Sequence, residues 1–240
     1  MTNELKITTE ELYDKFSIYP LKSAIDGCPC CTSESEKLNL HTKPLRNLQA
    51  EDLEHFTGSA MLTWGDAADF KHFLPRIFDL LASGNLLTDT FIVLGKLELA
   101  KWKEWQKGEQ ELVKRFLLDW WNDLIQRKPE FDSEAFMEIS DRLENVQLLL
   151  DKWNITFNDN SFKCLINFIY YDLNELNTYH KLFTYKNIHP DTITKINAWL
   201  IKNTDQVEQG FFRYEKSDKE FAKKISVSYD MLKVLKTETA

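Results

Sequence analysis

Glycine and proline are scarce in this chain, with seven and six of each in 240 residues. A β-rich architecture needs a turn residue at nearly every reversal, so the scarcity disfavours one and leaves helix as the default. Long hydrophobic runs are missing as well. No stretch approaches the roughly 20 apolar residues that span a bilayer. The first 25 residues carry several acids and no uninterrupted apolar segment, so no membrane anchor or secretory signal is expected. The expectation that follows is a cytoplasmic protein whose four cysteines stay reduced. Positive charge is the third shortage. Thirty Lys and Arg face 38 Asp and Glu, a net charge of -8, which argues against nucleic acid as the main ligand.

Common catalytic signatures are also missing: there is no G-x-x-x-x-G-K-[ST], no G-x-G-x-x-G, no G-x-S-x-G and no H-E-x-x-H. Their joint absence closes the commonest routes to a nucleotide-binding, serine-hydrolase or zinc-protease reading. What is abundant is core material. Hydrophobic residues make up 43% of the chain, including 16 phenylalanines and seven tryptophans, enough to fill a large core without disulfides.

The densest chemistry lies in Thr63 to Arg76, T-W-G-D-A-A-D-F-K-H-F-L-P-R. Gly65 followed by Asp66 suits a turn into a helix capped by Asp66, with Asp69 three residues on near the positive end of the helix dipole. Phe70, Phe73, Leu74, Ile77 and Leu81 then recur at helical spacing and form an apolar stripe. Pro75 interrupts the stripe, lacks the N–H that would bond the Lys71 carbonyl, and predicts a kink or break near His72 to Leu74. Asp69, His72 and Arg76 fall on one face beside it. Together with Trp64 and Asp66 they form a candidate binding site, in which Asp69 would orient His72 and Arg76 would hold an anion or carboxylate. The plainer alternative is that these side chains cap, pair and pack.

A second candidate site is Cys28-Pro29-Cys30-Cys31 with His41 ten residues further on. Three thiolates and an imidazole make the Cys3His ligand count of a zinc site. The spacing departs from the C-x2-C knuckle, so packed reduced thiols or a redox-reactive cluster remain open. The cluster sits in an irregular segment of some length after Pro20, which has to be either mobile or pinned. Cys164, among Phe162, Leu165 and Ile166, reads as a small buried hydrophobe.

Elsewhere the chain alternates apolar helical stripes with short breaks. Thr8-Thr9-Glu10-Glu11 has capping-box form. Leu48 and Leu53 form a hydrophobic staple around a helix start near Gln49, with that helix running to about Leu62. Phe136, Ile139, Leu143, Val146 and Leu150 give one continuous seam. Pro190 suits a first helical turn, and Ser217 with Glu220 gives a second capping box. The tryptophans and phenylalanines at helical spacing, Trp120 and Trp121 among them, are read as core. Trp120, Trp153 and Trp199 recur at unequal intervals, so no fixed repeat is present.

The blocks Cys28-Pro29-Cys30-Cys31, Lys43-Pro44-Leu45-Arg46, Thr63-Trp64-Gly65-Asp66 and His72-Phe73-Leu74-Pro75-Arg76 resemble those of a group of uncharacterised bacterial proteins. The resemblance covers a small part of the chain. It implies a bacterial source and brings no activity with it.

The expected fold is all-α: antiparallel helical hairpins in an irregular stack of the HEAT or armadillo kind or a compact bundle. They would form a single domain over 1–240 with an N-terminal subregion 1–47 carrying the cysteine loop. Three functional readings compete. By elimination the first is a non-enzymatic helical binding or scaffold protein with a protein partner and no cofactor. One concrete form is an inhibitor of a bacterial toxin, since an acidic surface complements a basic partner. The second is an enzyme or metal-dependent site around Asp66, Asp69, His72 and Arg76. The third is a zinc-stabilised or redox-sensing module built on Cys28, Cys30 and Cys31.

Overall fold

The computed structural model describes residues 1–180 and 188–238. Among them every regular element is a helix, apart from two isolated bridges at Trp64, so the all-α class expected from composition is what forms. No helix among the described residues is long and apolar enough to cross a membrane. The chain gathers into two compact units, Met1–Trp120 and Trp121–Ala240.

The first unit holds α1 (Asn3–Phe16), α2 (Glu34–Asn39), α3 (Ala50–Ser59), α4 (Ala67–Ser83), α5 (Thr90–Leu99) and the first part of α6 (Lys107–Arg127). Its organising element is α4, which packs against α1, α3 and α5. The start of α4 is the expected capping box: the Asp66 carboxylate accepts from the Ala68 and Asp69 amides, and Asp69 returns a bond to the Asp66 amide. Gly84 stops it in the left-handed conformation at φ 75°, where glycine has no Cβ penalty.

Pro75 does not break α4, which runs unbroken from Ala67 to Ser83. A helix-interior proline costs about 3 kcal/mol or more. Against that, Phe70, Phe73, Leu74, Ile77 and Phe78 are all fully buried, and each contributes about 1.5–3 kcal/mol. Packing therefore outweighs the lost hydrogen bond.

Three local expectations for this unit are corrected. The first helix begins at Asn3 with Thr2 as its cap, and Thr8 and Thr9 lie inside it. Their hydroxyls donate to the Asp119 carboxylate at 2.6 Å and the Leu5 carbonyl at 2.7 Å, because a helical threonine can satisfy itself on the preceding turn or a buried acid. The segment after Pro20 is not wholly irregular, since it contains α2 and a short 3-10 turn at Leu45–Asn47. Finally, α3 starts at Gln49 as expected but ends at Ser59, where Ala60 leaves the helical region and Met61 takes a positive φ of 62°.

The second unit holds the end of α6, α7 (Ser133–Leu143), α8 (Val146–Lys152), α9 (Ser161–Asn167), α10 (Leu173–Tyr179), α11 (Pro190–Lys202), α12 (Thr204–Tyr214) and α13 (Lys219–Glu238). Its core is aromatic. Trp121 lies 5.4 Å from Trp153 and 5.2 Å from Phe136 between ring centroids, and Phe131 stacks on Phe168 at 4.3 Å. Offset and edge contacts of this kind add to the area term.

The seam expected to run through Leu150 as one helix is two. Glu144 turns left-handed at φ 53° and Asn145 caps a new helix, so Val146 and Leu150 belong to α8. Asn145, a preferred capping residue, outweighs a continuous apolar spacing there. A π turn at Phe168–Asp172 joins α9 to α10. His189 and Pro190 open α11 as expected. The cap of α13 is Asp218 rather than Ser217, its carboxylate accepting from the Phe221 amide at 3.0 Å. The helix α12 is not among those expected from the sequence, and its Gly210 meets Phe162 of α9.

At Gly210 of α12 a Cβ would fall inside the van der Waals envelope of the Phe162 ring, and Phe162 is fully buried. Gly95, in the middle of α5, has open space at the same position. Gly210→Ala is expected to lower stability by about 1–3 kcal/mol through overpacking, and Gly95→Ala to raise it by about 0.5–1 kcal/mol. Urea denaturation of the two variants checks both signs.

Candidate metal centre

The two sequence stretches that carried the most chemistry meet in space. The Cys28 amide donates to the Thr63 carbonyl at 2.8 Å and the Gly65 amide to the Asp26 carbonyl at 2.6 Å. These bonds form an antiparallel bridge between Gly27 and Trp64. Trp64 is only 2% exposed, with the His55 and Phe56 rings edge-on at 5.3 and 5.5 Å. A Cβ on Gly27 would stand 3.2 Å from Trp64 Cδ1 and 3.3 Å from Thr32 Oγ1, so any side chain at residue 27 would crowd the indole. Gly65 is required twice over. Its φ is +67°, and a Cβ there would meet Ile25 and Asp69 at 3.1 Å.

A second tie fixes the far side of the loop. Ser33 and Glu36 form a reciprocal capping box at the start of α2, and Glu36 Oε1 lies 2.8 Å from His55 Nδ1 on α3. The Ser33 hydroxyl and then its amide, followed by His55, hold the Glu36 carboxyl down at about 2. The segment after Pro20 is thus pinned at Gly27 and at Glu36.

Between those pins the three thiols converge. Cys28 Sγ and Cys30 Sγ are 2.8 Å apart, Cys30 Sγ and Cys31 Sγ 3.6 Å, and all three sulfurs lie within 4.8 Å of one another. The chain turns around the Cys28 carbonyl, which accepts from the amides of Cys31 at 3.0 Å and Thr32 at 2.9 Å. The Cys28 thiol is drawn down to about 7, first by the Cys30 thiol, then by the Cys30 amide, with Cys31 adding further hydrogen bonds. Cys30 is pushed up to about 11, chiefly by its hydrogen bond to Cys28. Cys30 and Cys31 are exposed and Cys28 is half-buried. Beside Gly27, Trp64 Nε1 and Thr32 Oγ1 are buried and have no hydrogen-bond partner in the protein. Among the described residues, these three cysteines are the group placed to hold a metal ion.

His41, the fourth ligand expected from the sequence, is exposed and stands outside this group. The physical reason is α2, which fills the interval between Cys31 and His41 and carries the imidazole away from the thiols.

The remaining candidates reach separate structural partners. Asp69, 3% exposed, accepts from Lys22 Nζ at 3.1 Å and from the Asp66 amide at 3.0 Å. Lys22 also bonds Asp66 at 2.6 Å. His72 Nδ1 lies 2.8 Å from the Tyr19 carbonyl, while Arg76 donates to the Leu48 carbonyl and to Asp79, each at 2.7 Å. Asp66, Asp69 and Lys22 are therefore brought together, and His72 and Arg76 point to other neighbours. Cys164 is buried as expected, and burial pushes its thiol well above the ordinary range.

One cluster escaped the sequence reading. Glu109 is fully buried and receives Tyr19 Oη at 2.5 Å and Lys71 Nζ at 2.8 Å, with Lys71 also 4.3 Å above the Trp105 ring. No motif announces it, because its members come from three distant parts of the chain. Its polar groups satisfy one another, and it serves to fix the end of α1 on α4 and α6.

In comparison with known proteins, no family model, no curated protein and no solved structure matches the chain.

The Glu36 tie has a pH signature. Its carboxyl sits at about 2 against an ordinary 4.5, so folding favours the carboxylate. The tie is fully present above about 4.5 and is lost as pH falls toward about 2. Protection of the Ser33 and Glu36 amides against exchange, relative to the intrinsic rate at each pH, is expected to fall over that window in the native protein, and to be low with no such step in Glu36→Gln.

Proposed function

We propose that this protein binds a soft metal ion of the zinc class through Cys28, Cys30 and Cys31, with a fourth coordination position open to an exogenous ligand. The observation that carries the reading is the convergence of three sulfurs on a loop pinned at both ends. Thiolates select soft and borderline ions over calcium and magnesium.

The distances fit. Around a tetrahedral ion with zinc–sulfur bonds of about 2.3 Å, sulfurs stand about 3.8 Å apart. The Cys30 and Cys31 sulfurs are already at 3.6 Å. The Cys28 and Cys30 sulfurs, at 2.8 Å, need to open by roughly 1 Å to reach that spacing, which a rotation of the exposed Cys30 side chain supplies.

The surroundings suit thiolate ligands. The Cys30 and Cys31 amides lie where they favour the Cys28 thiolate, and neighbouring donors of this kind stabilise a ligating thiolate. Three protein ligands with one position open make an exchangeable site, in contrast to the closed four-ligand sites that serve structure alone.

Titration of the reduced protein with zinc, followed by elemental analysis after desalting, is expected to give one ion per chain with release of protons. Serine at position 28, 30 or 31 should weaken binding by more than about 100-fold, beyond what loss of a supporting hydrogen bond causes. His41→Ala should leave affinity unchanged. A reduced protein that takes up no zinc, or one whose affinity collapses with His41→Ala alone, overturns the assignment.

A further inference from the structure

We infer that the metal centre is redox-gated: a low-molecular-weight disulfide converts Cys28 and Cys30 to an internal disulfide and so expels the ion. The inference rests on the metal-binding reading and adds its regulation. Its basis is a sulfur–sulfur distance that falls between those of two closed states. The Cys28 and Cys30 sulfurs lie 2.8 Å apart, between the about 2.05 Å of a disulfide and the about 3.8 Å spanned by a bound ion. One geometry excludes the other, so the same pair of sulfurs cannot serve both.

The choice of pair follows from backbone geometry. Neighbouring Cα atoms across a trans peptide are about 3.8 Å apart, below the about 4.4 Å at which unstrained disulfides begin. Cys30 and Cys31 are therefore a poor pair, although their sulfurs are only 3.6 Å apart. Cys28 and Cys30 have one residue between them and escape that limit. Cys30 is exposed and Cys28 half-buried, so an incoming reagent can reach them, whereas Cys164 is buried. The backbone on either side is held by the Gly27–Trp64 bridge and by the Glu36–His55 contact. Closure therefore changes the ligands without unfolding the unit.

The step balances. One of the two protein sulfurs attacks the external disulfide, whose S–S bond breaks to release one thiolate and leave a mixed disulfide on the protein. The second protein sulfur then attacks the first, forms the Cys28–Cys30 bond and releases the second thiolate. Two protein thiolates are oxidised by two electrons and the external disulfide is reduced to two thiolates. Starting from thiols, the two protons pass to those products. Cys31 remains as a single ligand.

The test uses the full-length protein loaded with zinc, treated with oxidised glutathione, with released zinc read by a chromogenic chelator and the thiols mapped by mass spectrometry. The expected result is one zinc released per chain together with loss of two hydrogens, Cys28 joined to Cys30, and Cys31 still open to alkylation. Metal-free Cys31→Ser should form the same disulfide, and metal-free Cys30→Ser should not. Far-UV circular dichroism checks that both variants keep native helix. Zinc retained through oxidation, a Cys30–Cys31 bond, a bond between chains, or a mixed disulfide that persists overturns the gating while leaving the metal reading intact. Failure of the reduced protein to bind zinc appears before any oxidant is added and overturns the metal reading itself.

Discussion

The packing of Trp64 against Gly27 is the contact on which the proposed site depends. A buried indole removes about 150–250 Å² from water, or roughly 4–6 kcal/mol at 25 cal/mol per Å², and here that burial is directed onto a loop. Behind it lies a short chain of causes. Lys96 on α5 is buried and donates to the carbonyls of Gly58 at 2.6 Å and Ala60 at 3.2 Å. It places a cation at the negative end of α3, although burial lowers its pKa. With α3 ended there, the chain turns through Met61 at φ 62° and presents Trp64 to the loop. The two hydrogen bonds flanking Gly27 then set the backbone of Cys28, and the thiols follow.

The helix after that turn supplies rigidity. Its apolar face is buried against α1, α3 and α5, strongly enough to keep Pro75 inside a continuous helix. Its polar residues are committed to holding neighbouring segments: Asp69 to Lys22, His72 to the Tyr19 carbonyl, Arg76 to the Leu48 carbonyl. These bonds fix both the segment that leaves α1 and the one that enters α3, and the cysteine loop lies between them in the chain. A stretch that reads as a site from its residue types is thus tied through its polar side chains to neighbouring segments, and the thiols proposed to bind metal belong to the loop between those segments.

The second unit follows different physics. Its core is a contiguous set of aromatic rings, with the Trp121 indole N–H donating to the Leu149 carbonyl at 3.1 Å and that of Trp153 to the Ser161 carbonyl at 3.2 Å. Each tryptophan thereby buries a large apolar body and satisfies its single donor. The close fit of Phe162 over Gly210 shows how little slack remains between α9 and α12. A core of this density resists small additions more than it resists surface change.

Local chemistry was legible wherever one residue type dominates a backbone decision. Asp66 with Asp69 as a cap, Gly84 as a stop, Leu48 and Leu53 flanking the start of α3, and Pro190 in a first turn all act within four residues, so spacing alone reveals them. The helical class, the buried stripe of α4 and the interior place of Cys164 could be read for the same reason. Helix boundaries at Thr2, Glu144 and Asp218 could not, because each was a choice among neighbouring cappers that packing decided. The meeting of Gly27 with Trp64, the exclusion of His41 from the thiols and the Tyr19, Lys71 and Glu109 cluster join residues far apart in the chain. Sequence by itself determined which residues could ligate, cap or fill a core. Only the tertiary structure decided which of them come within bonding distance, since that depends on how whole helices bury their faces.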